Sequence, residues 1–185
     1  QLPELKCVEH IVKATTKRDD WLFDMPAITL QEQRAERRRT INERCEYAAE
    51  LISNHEGCSI AWCHLNSEGD TLQKLIPGSV QVSGDDSDEW KEMAVEWFQG
   101  YWCTCGETQC SCGHKSGKRV LISKPTMFGY GLNLQCCNHM TFFPSHSFEQ
   151  WYQAVRRCWR FGQKNPVKVD VIASEGESGV LSNLN

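Results

Sequence analysis

The sequence predicts an α/β domain built on a mostly parallel sheet, because strand-like apolar runs alternate along the chain with segments that carry helix-start signals. With 185 residues, 40% hydrophobic and 24% charged, the chain can bury one substantial core and is too short for two ordinary enzyme domains. Its longest apolar runs, at 120–122 and 140–144, fall far below the roughly 18 to 20 residues that a membrane-spanning helix needs, so none is expected and no membrane partner is implied.

The first strand is expected at 7–14, followed by an irregular stretch to Pro26. Thr29 and Glu32 then have capping-box spacing, which satisfies two orphan N–H groups and opens a helix drawn to about Ser53, with Ile41, Cys45, Ala48 and Ile52 as its buried stripe. Residues 58–63 (CSIAWC) read as a buried strand, 69–75 as a short helix and 79–82 as a further strand. Acidic residues mass at 85–89, where they favour a helix N-terminus; Asp86 and Glu89 have capping-box spacing and the helix should reach Phe98. Strands are expected at 118–124 and 140–143, then a helix capped by Ser147 with Gln150 and drawn to about Phe161. A last strand at 167–172 precedes a tail rich in Gly, Ser and Asn, and no internal repeat is visible.

The net charge of −4 and pI of about 5.9 do not advertise a nucleic-acid partner, so any such contact must come from local basic clusters. Eleven cysteines are an odd count, and the opening Gln1-Leu2-Pro3-Glu4 has neither Met nor a basic-then-apolar leader. These features favour a reducing cytoplasm with a local metal site over a secreted disulfide scaffold, and a piece of a longer polypeptide.

Two segments carry chemistry. On a helix over 148–161, Trp151, Val155, Cys158 and Trp159 fall on one side and Gln153, Arg156, Arg157 and Arg160 on the other. Guanidiniums are permanently charged planar forks that match phosphate oxygens, so the row suits a polyphosphate; a solvated basic face is the plainer alternative. The glycine-containing stretch 128–135 follows a strand and is expected to open a helix, where backbone can approach a ligand, although an ordinary strand-to-helix turn looks the same.

Together, Gly-Tyr-Gly-Leu-Asn-Leu-Gln at 129–135, the following strand and Gln-Ala-Val-Arg-Arg-Cys-Trp-Arg-Phe-Gly-Gln at 153–163 resemble motifs V and VI of superfamily 2 DNA helicases and translocases. The pattern Gln-Ala-x-x-Arg-x-x-Arg-x-Gly-Gln is similar to that of the Swi/Snf-like branch, including its phage and bacterial members. The resemblance extends to Ile60-Ala61-Trp62-Cys63-His64 at the place of motif IV, and covers roughly residues 58–173.

The resemblance implies a RecA-like three-layer lobe, the C-terminal half of an ATPase whose N-terminal RecA-like lobe supplies the phosphate loop and magnesium ligands. The chain has no G-x-x-x-x-G-K-[ST], so ATP and magnesium belong to the complete enzyme and this chain alone should be inactive. By the same resemblance Arg160 would be the arginine finger and Arg157 a neighbouring phosphate contact. Gln153 and Gln163 would orient that network, and Gly129, Gly131 and Asn133 would couple the nucleotide cleft to nucleic acid. Where many relatives have Thr-Lys-Ala-Gly-Gly, this chain has Ser-Lys-Pro-Thr-Met-Phe at 123–128. Its Lys124 and Thr126 are candidate DNA-backbone contacts or part of a solvated loop.

Between the helix ending near Gly100 and the next strand lie Cys103, Cys105, Cys110, Cys112 and His114. Four thiols within a dozen residues suit a tetrahedral structural zinc, with His114 as an alternative ligand; disulfides or reduced surface thiols are the other readings. The expected organisation is residues 1–57 as an N-terminal segment and long helix on the lobe, 58–173 as the lobe with a zinc-binding insertion at 101–117, and 174–185 as a flexible tail.

Arg34, Arg37, Arg38, Arg39 and Arg44 are interleaved with Glu32, Glu36 and Glu43, which fits a solvated salt-bridged face or a DNA-facing brace. His64, His139 and His146 are expected to serve packing, and Cys136, Cys137 and Cys158 to be buried small hydrophobes. A non-catalytic zinc-stabilised module that binds nucleic acid or protein, and the motor part of a restriction or repair complex, are the alternatives to a DNA-dependent ATPase.

Overall fold

The structure is a computed structural model and describes residues 2–15, 29–101, 118–128, 132–145 and 147–177. Six strands form one sheet: β1 (Leu5–Val12), β2 (Ser59–Trp62), β3 (Val80–Val82), β4 (Val120–Ser123), β5 (His139–Phe142) and β6 (Val167–Ser174). Their order is β1-β6-β5-β2-β4-β3, and every described pairing is parallel, from Leu5 opposite Val167 to Val82 opposite Ser123. The α/β reading of the sequence holds. The helices are α1 (Leu30–Arg39), α2 (Ile41–Asn54), α3 (Asn66–Leu75), α4 (Asp88–Gln99) and α5 (Phe148–Arg156), with a 3-10 turn at Glu175–Glu177.

Because a strand's side chains alternate, each central strand feeds two cores. Ile60, Trp62, Leu121, Met140, Phe142, Val169 and Val171 pack with Ala94, Val95 and Phe98 of α4 and Trp151, Ala154 and Val155 of α5. Ala61, Val120, Ile122 and Ile172 pack on the other face with Cys45, Ala48 and Ile52 of α2 and Leu72 of α3. The result is three layers. Each fully buried large apolar side chain contributes roughly 1.5–3 kcal/mol, and a one-residue register slip would exchange the two cores.

Four expected elements differ. The single helix drawn to Ser53 is two, because the Thr40 hydroxyl and N–H both bond Glu36 O, at 2.8 and 3.0 Å, and end α1 there. The helix α4 is capped by Ser87, whose Oγ accepts from Trp90 N at 3.2 Å; Asp86 instead accepts from Ser83 N at 2.7 Å and closes the preceding turn. After β4, the described residues 132–138 form turns rather than a helix, since Asn133 Oδ1 captures Gln135 N at 3.0 Å. Finally, α5 stops at Arg156 instead of Phe161. Arg157 O accepts Leu134 N at 2.9 Å and Cys158 O accepts Gln163 Nε2 at 3.4 Å, so these carbonyls serve the neighbouring loop. Gly162, at φ +97°, then turns the chain toward β6.

Among the described residues, no helix is long and apolar enough to cross a membrane. Cys137 and Cys158 are buried as expected, whereas Cys136 is exposed. The tail expected at 174–185 starts later, since Ser174 ends β6 and Glu175–Glu177 form the 3-10 turn; residues 178–185 and 102–117 lie outside the described residues.

Candidate functional site

In an open parallel sheet, ligands meet the loops that leave the carboxyl ends of the strands. Here the loop after β4 and the end of α5 face each other. Arg157 donates from Nη2 to Phe128 O at 2.9 Å, and Arg160 from Nη1 to Leu132 O at 3.1 Å. The two guanidiniums therefore hold the chain on both sides of 129–131; Gly129 and Gly131 themselves lie outside the described residues. Arg157 is only 6% exposed, and its Nε is buried without a hydrogen-bond partner. Burial first, and the Arg160 charge second, lower its pKa from the usual arginine value. A guanidinium with an unpartnered N–H retains a donor that an anion's oxygen can accept.

Two clefts meet at Arg157. One, about 330 Å³, is lined by Thr126, Phe128, Ser147, Glu149, Gln150, Gln153 and Arg157. The other, about 450 Å³, is lined by Leu132, Glu149, Tyr152, Gln153, Arg156, Arg157 and Arg160. Gln153 thus lines both, with its Nε2 donating to Glu149 Oε1 at 3.0 Å. Thr126 is exposed on the rim of the first, while Lys124 is half-buried and its carbonyl closes a turn by accepting Met127 N at 3.0 Å.

Gln163 and Asn133 stand elsewhere. Gln163 is buried, and its Nε2 donates to Gln135 O, Cys137 O and Cys158 O at 3.1, 3.0 and 3.4 Å while its Oε1 accepts Asn165 N at 3.1 Å. It staples the loop before β5 to the turn after α5. Asn133 is exposed and bonds Gln135 through both side-chain atoms. Arg156, Arg157 and Arg160 do not share one helix, but all three line the same cleft.

Two polar clusters were not legible from sequence. Arg44, read there as part of an exposed face, is completely buried: Nη2 lies 2.9 Å from Glu68 Oε1, Nε lies 3.6 Å from Glu177 Oε2, and the guanidinium stands 4.7 Å from the Phe143 ring centroid. Arg37 pairs with Glu177 Oε1 at 2.9 Å and donates to Pro144 O at 2.6 Å, and Arg39 pairs with Glu36. Arg44 and Arg37 are thus committed to interior ion pairs and Arg39 to a salt bridge along its own helix, while Arg34 and Arg38 are exposed. Burial raises the Glu68 carboxyl, but Arg44 and the N–H groups of Leu65 and His64 outweigh it and lower its pKa.

The second cluster centres on Asp170, which receives His10 Nε2 at 2.8 Å, His139 Nε2 at 2.9 Å and Lys168 Nζ at 2.9 Å. Ser59 Oγ lies 2.8 Å from His139 Nδ1 and Tyr47 Oη 3.0 Å from His10 Nδ1. Burial pushes the Asp170 carboxyl up, but hydrogen bonds from His139, Lys168 and His10 hold it well below the carboxylate range. Ser59, His139 and Asp170 lie buried inside the sheet, so this relay ties strands rather than presenting a nucleophile. Neither cluster has a local sequence signal, because its members are far apart in the chain.

Among the described residues, no group of three or more His, Cys, Asp or Glu is placed to hold a metal ion. Cys103, Cys105, Cys110, Cys112 and His114 lie outside the described residues. Sequence reasoning also passed over Tyr152, whose only signal is an aromatic ring four residues before Arg156 on the polar side of α5.

No protein-family model matches the sequence, and no curated protein is significantly similar to it. Solved structures do match. The C-terminal part of the Fun30 ATPase domain superposes with a TM-score of 0.54 at 17% identity, over 73% of this chain and 41% of that one. T4 UvsW gives a TM-score of 0.60 at 12% identity, over 95% of this chain and 34% of its own. The chain thus spans well under half the length of either structure. In fold, it resembles the C-terminal part of the Fun30 ATPase domain and part of T4 UvsW, with the RecA-like parallel α/β architecture the sequence led us to expect.

Proposed function

We propose that this chain is the C-terminal lobe of a DNA-dependent ATPase that translocates on, or remodels, duplex nucleic acid. The observation that carries the reading is the pair Arg157 and Arg160. They are braced on the carbonyls of Phe128 and Leu132 beside an open cleft, one of them with a buried and unpartnered Nε.

ATP would lie between this lobe and a companion RecA-like lobe, which would supply the phosphate loop and hold magnesium; the metal's chemistry there is neutralisation of phosphate charge. On closure, Arg160 would stabilise the charge that develops on the transferred phosphoryl group, with Arg157 holding adjacent oxygens and Gln153 between them. Both arginines also hold the loop that follows β4. Engaging a phosphate would therefore tug the segment carrying Lys124 and Thr126, the proposed contacts to the DNA backbone. Contacts confined to phosphates suit sequence-independent tracking and make binding fall steeply with salt.

The same reading includes a structural zinc held by Cys103, Cys105, Cys110 and Cys112, or with His114 replacing one of them. It rests on the density of thiols in the sequence. The deciding experiment is ATP hydrolysis by the polypeptide that carries both lobes, with and without duplex or single-stranded DNA, comparing wild type with Arg160→Ala. Stimulation by DNA that the substitution removes by about 10³-fold or more supports the proposal. Turnover indifferent to both DNA and the substitution refutes it.

A further inference from the structure

Tyr152 and Arg156 lie off the buried face of α5. The buried face of α5 belongs to Trp151, Ala154 and Val155, whereas Tyr152 is 51% exposed. Yet the two are ordered against each other. The Arg156 guanidinium sits 5.8 Å from the Tyr152 ring centroid and 5.7 Å from that of Trp159, between two aromatic rings. Phe148 extends the surface, its ring stacked along Tyr152 at 6.3 Å and 24°.

Tyr152 and Arg156 line the 450 Å³ cleft that Arg157 and Arg160 also line. A bare phosphate would use the guanidiniums and ignore the ring. A flat π-face beside clustered positive charge fits an anion that also carries an aromatic group, and the volume is in the range that holds a small ligand. We propose that Tyr152, backed by Arg156, is the stacking platform for the base of a nucleoside triphosphate whose phosphates face Arg157 and Arg160. The assignment rests on the nucleotide-site reading above and adds to it what distinguishes a nucleotide from inorganic polyphosphate. Every base has a π-face, so the platform recognises the presence of a base rather than its identity. The base of a single-stranded nucleic acid would also stack on such a ring. The free nucleotide is favoured because the same cleft gathers the arginines proposed to meet phosphate.

The test uses the polypeptide carrying both lobes, with ATP as substrate and inorganic tripolyphosphate as competing ligand. Tyr152→Ala is expected to raise KM for ATP about tenfold and change kcat less than about twofold, the loss of one base–aromatic stack. Tyr152→Phe should restore KM, and the inhibition constant of tripolyphosphate should be the same in all three proteins. The proposal is overturned if KM for ATP does not move, or if KM and the tripolyphosphate constant rise together. It is also overturned if the shift falls only on the concentration of single-stranded DNA giving half-maximal stimulation, which assigns the ring to the strand. Arg160→Ala in the same assay separates the two levels. If it leaves turnover intact, the nucleotide-site reading falls and the platform with it. If it abolishes turnover while Tyr152→Ala leaves KM flat, the platform alone is wrong.

Discussion

Replacing Arg44 by Met tests whether the basic helix face is an interior ion network. Met keeps most of the stem's volume, so packing beside Phe143 is largely retained and the change falls on charge. Without the guanidinium, Glu68 keeps the N–H groups of His64 and Leu65 on Oε2, but its Oε1 faces no cation; Glu177 keeps Arg37 and Ser174. Breaking a buried pair by deleting one partner costs about 3–5 kcal/mol, and the surviving partners of both carboxylates place this case near the lower end. With a urea m-value of about 2 kcal/mol/M, the unfolding midpoint should drop by about 1.5 M at unchanged m. Adding Glu68→Gln, which removes the orphaned charge and keeps an acceptor for the two N–H groups, should recover about half of the loss. A midpoint within about 0.3 M of wild type would refute the reasoning, since surface arginines commonly contribute no more than that.

Other substitutions probe other parts of the lobe. Burial and the Arg37 charge push the His64 imidazole down to about 4, and its Nε2 bonds Phe143 O. The unfolded chain therefore takes up a proton that the native state refuses. Stability should be full above pH about 6.5 and decline as pH falls toward 4, by about 2 kcal/mol at pH 5. Urea unfolding at pH 7 and 5 checks this, with His64→Gln flattening the slope; equal wild-type stability at both values counts against it. Asp170, whose carboxyl is held down, adds a second loss only below pH about 4. Gln163→Leu should destabilise by about 2–3 kcal/mol, because it strips donors from the carbonyls of Gln135, Cys137 and Cys158. If Gln163 acted only at the nucleotide, thermal unfolding of that variant would be unchanged while ATP turnover fell. Finally, elemental analysis should find about one zinc per chain, lost in Cys110→Ser; a metal-free wild type prepared with zinc present would dismiss the site.

The alternation of apolar runs with capped segments was enough to read a mostly parallel α/β domain, since buried parallel strands such as Ile60-Ala61-Trp62 and Val120-Leu121-Ile122 are written as short continuous hydrophobic words. Termini were harder to read where a side chain or carbonyl had a competing partner. Thr40 bonds backward and splits a helix, and Arg157 O and Cys158 O are claimed by groups of other turns, which no local window displays. The site was partly legible for the same reason. Arg157, Arg160 and Gln153 stand within one short motif and line one cleft, whereas Glu68, Glu177 and Arg44 meet only after the chain has folded. Gln163 shows the converse: a residue singled out by its motif is occupied by four backbone groups.

The edge strand β1 pairs along its whole length with β6, Leu5 beside Val167 through Val12 beside Ser174, and His10 reaches across to Asp170. No other described strand pairs with it, so its ladder can close only after almost the entire chain is available. During synthesis β1 emerges before the other described strands and must wait for β6, its unsatisfied backbone edge exposed meanwhile. The ordering entropy of that long closure is met before any of its contacts form, so β1 docking is expected late in folding. Its amides should be the first in the sheet to exchange with solvent when the native state opens partially. The strand farthest from the proposed chemistry in sequence thus sets when the lobe becomes complete.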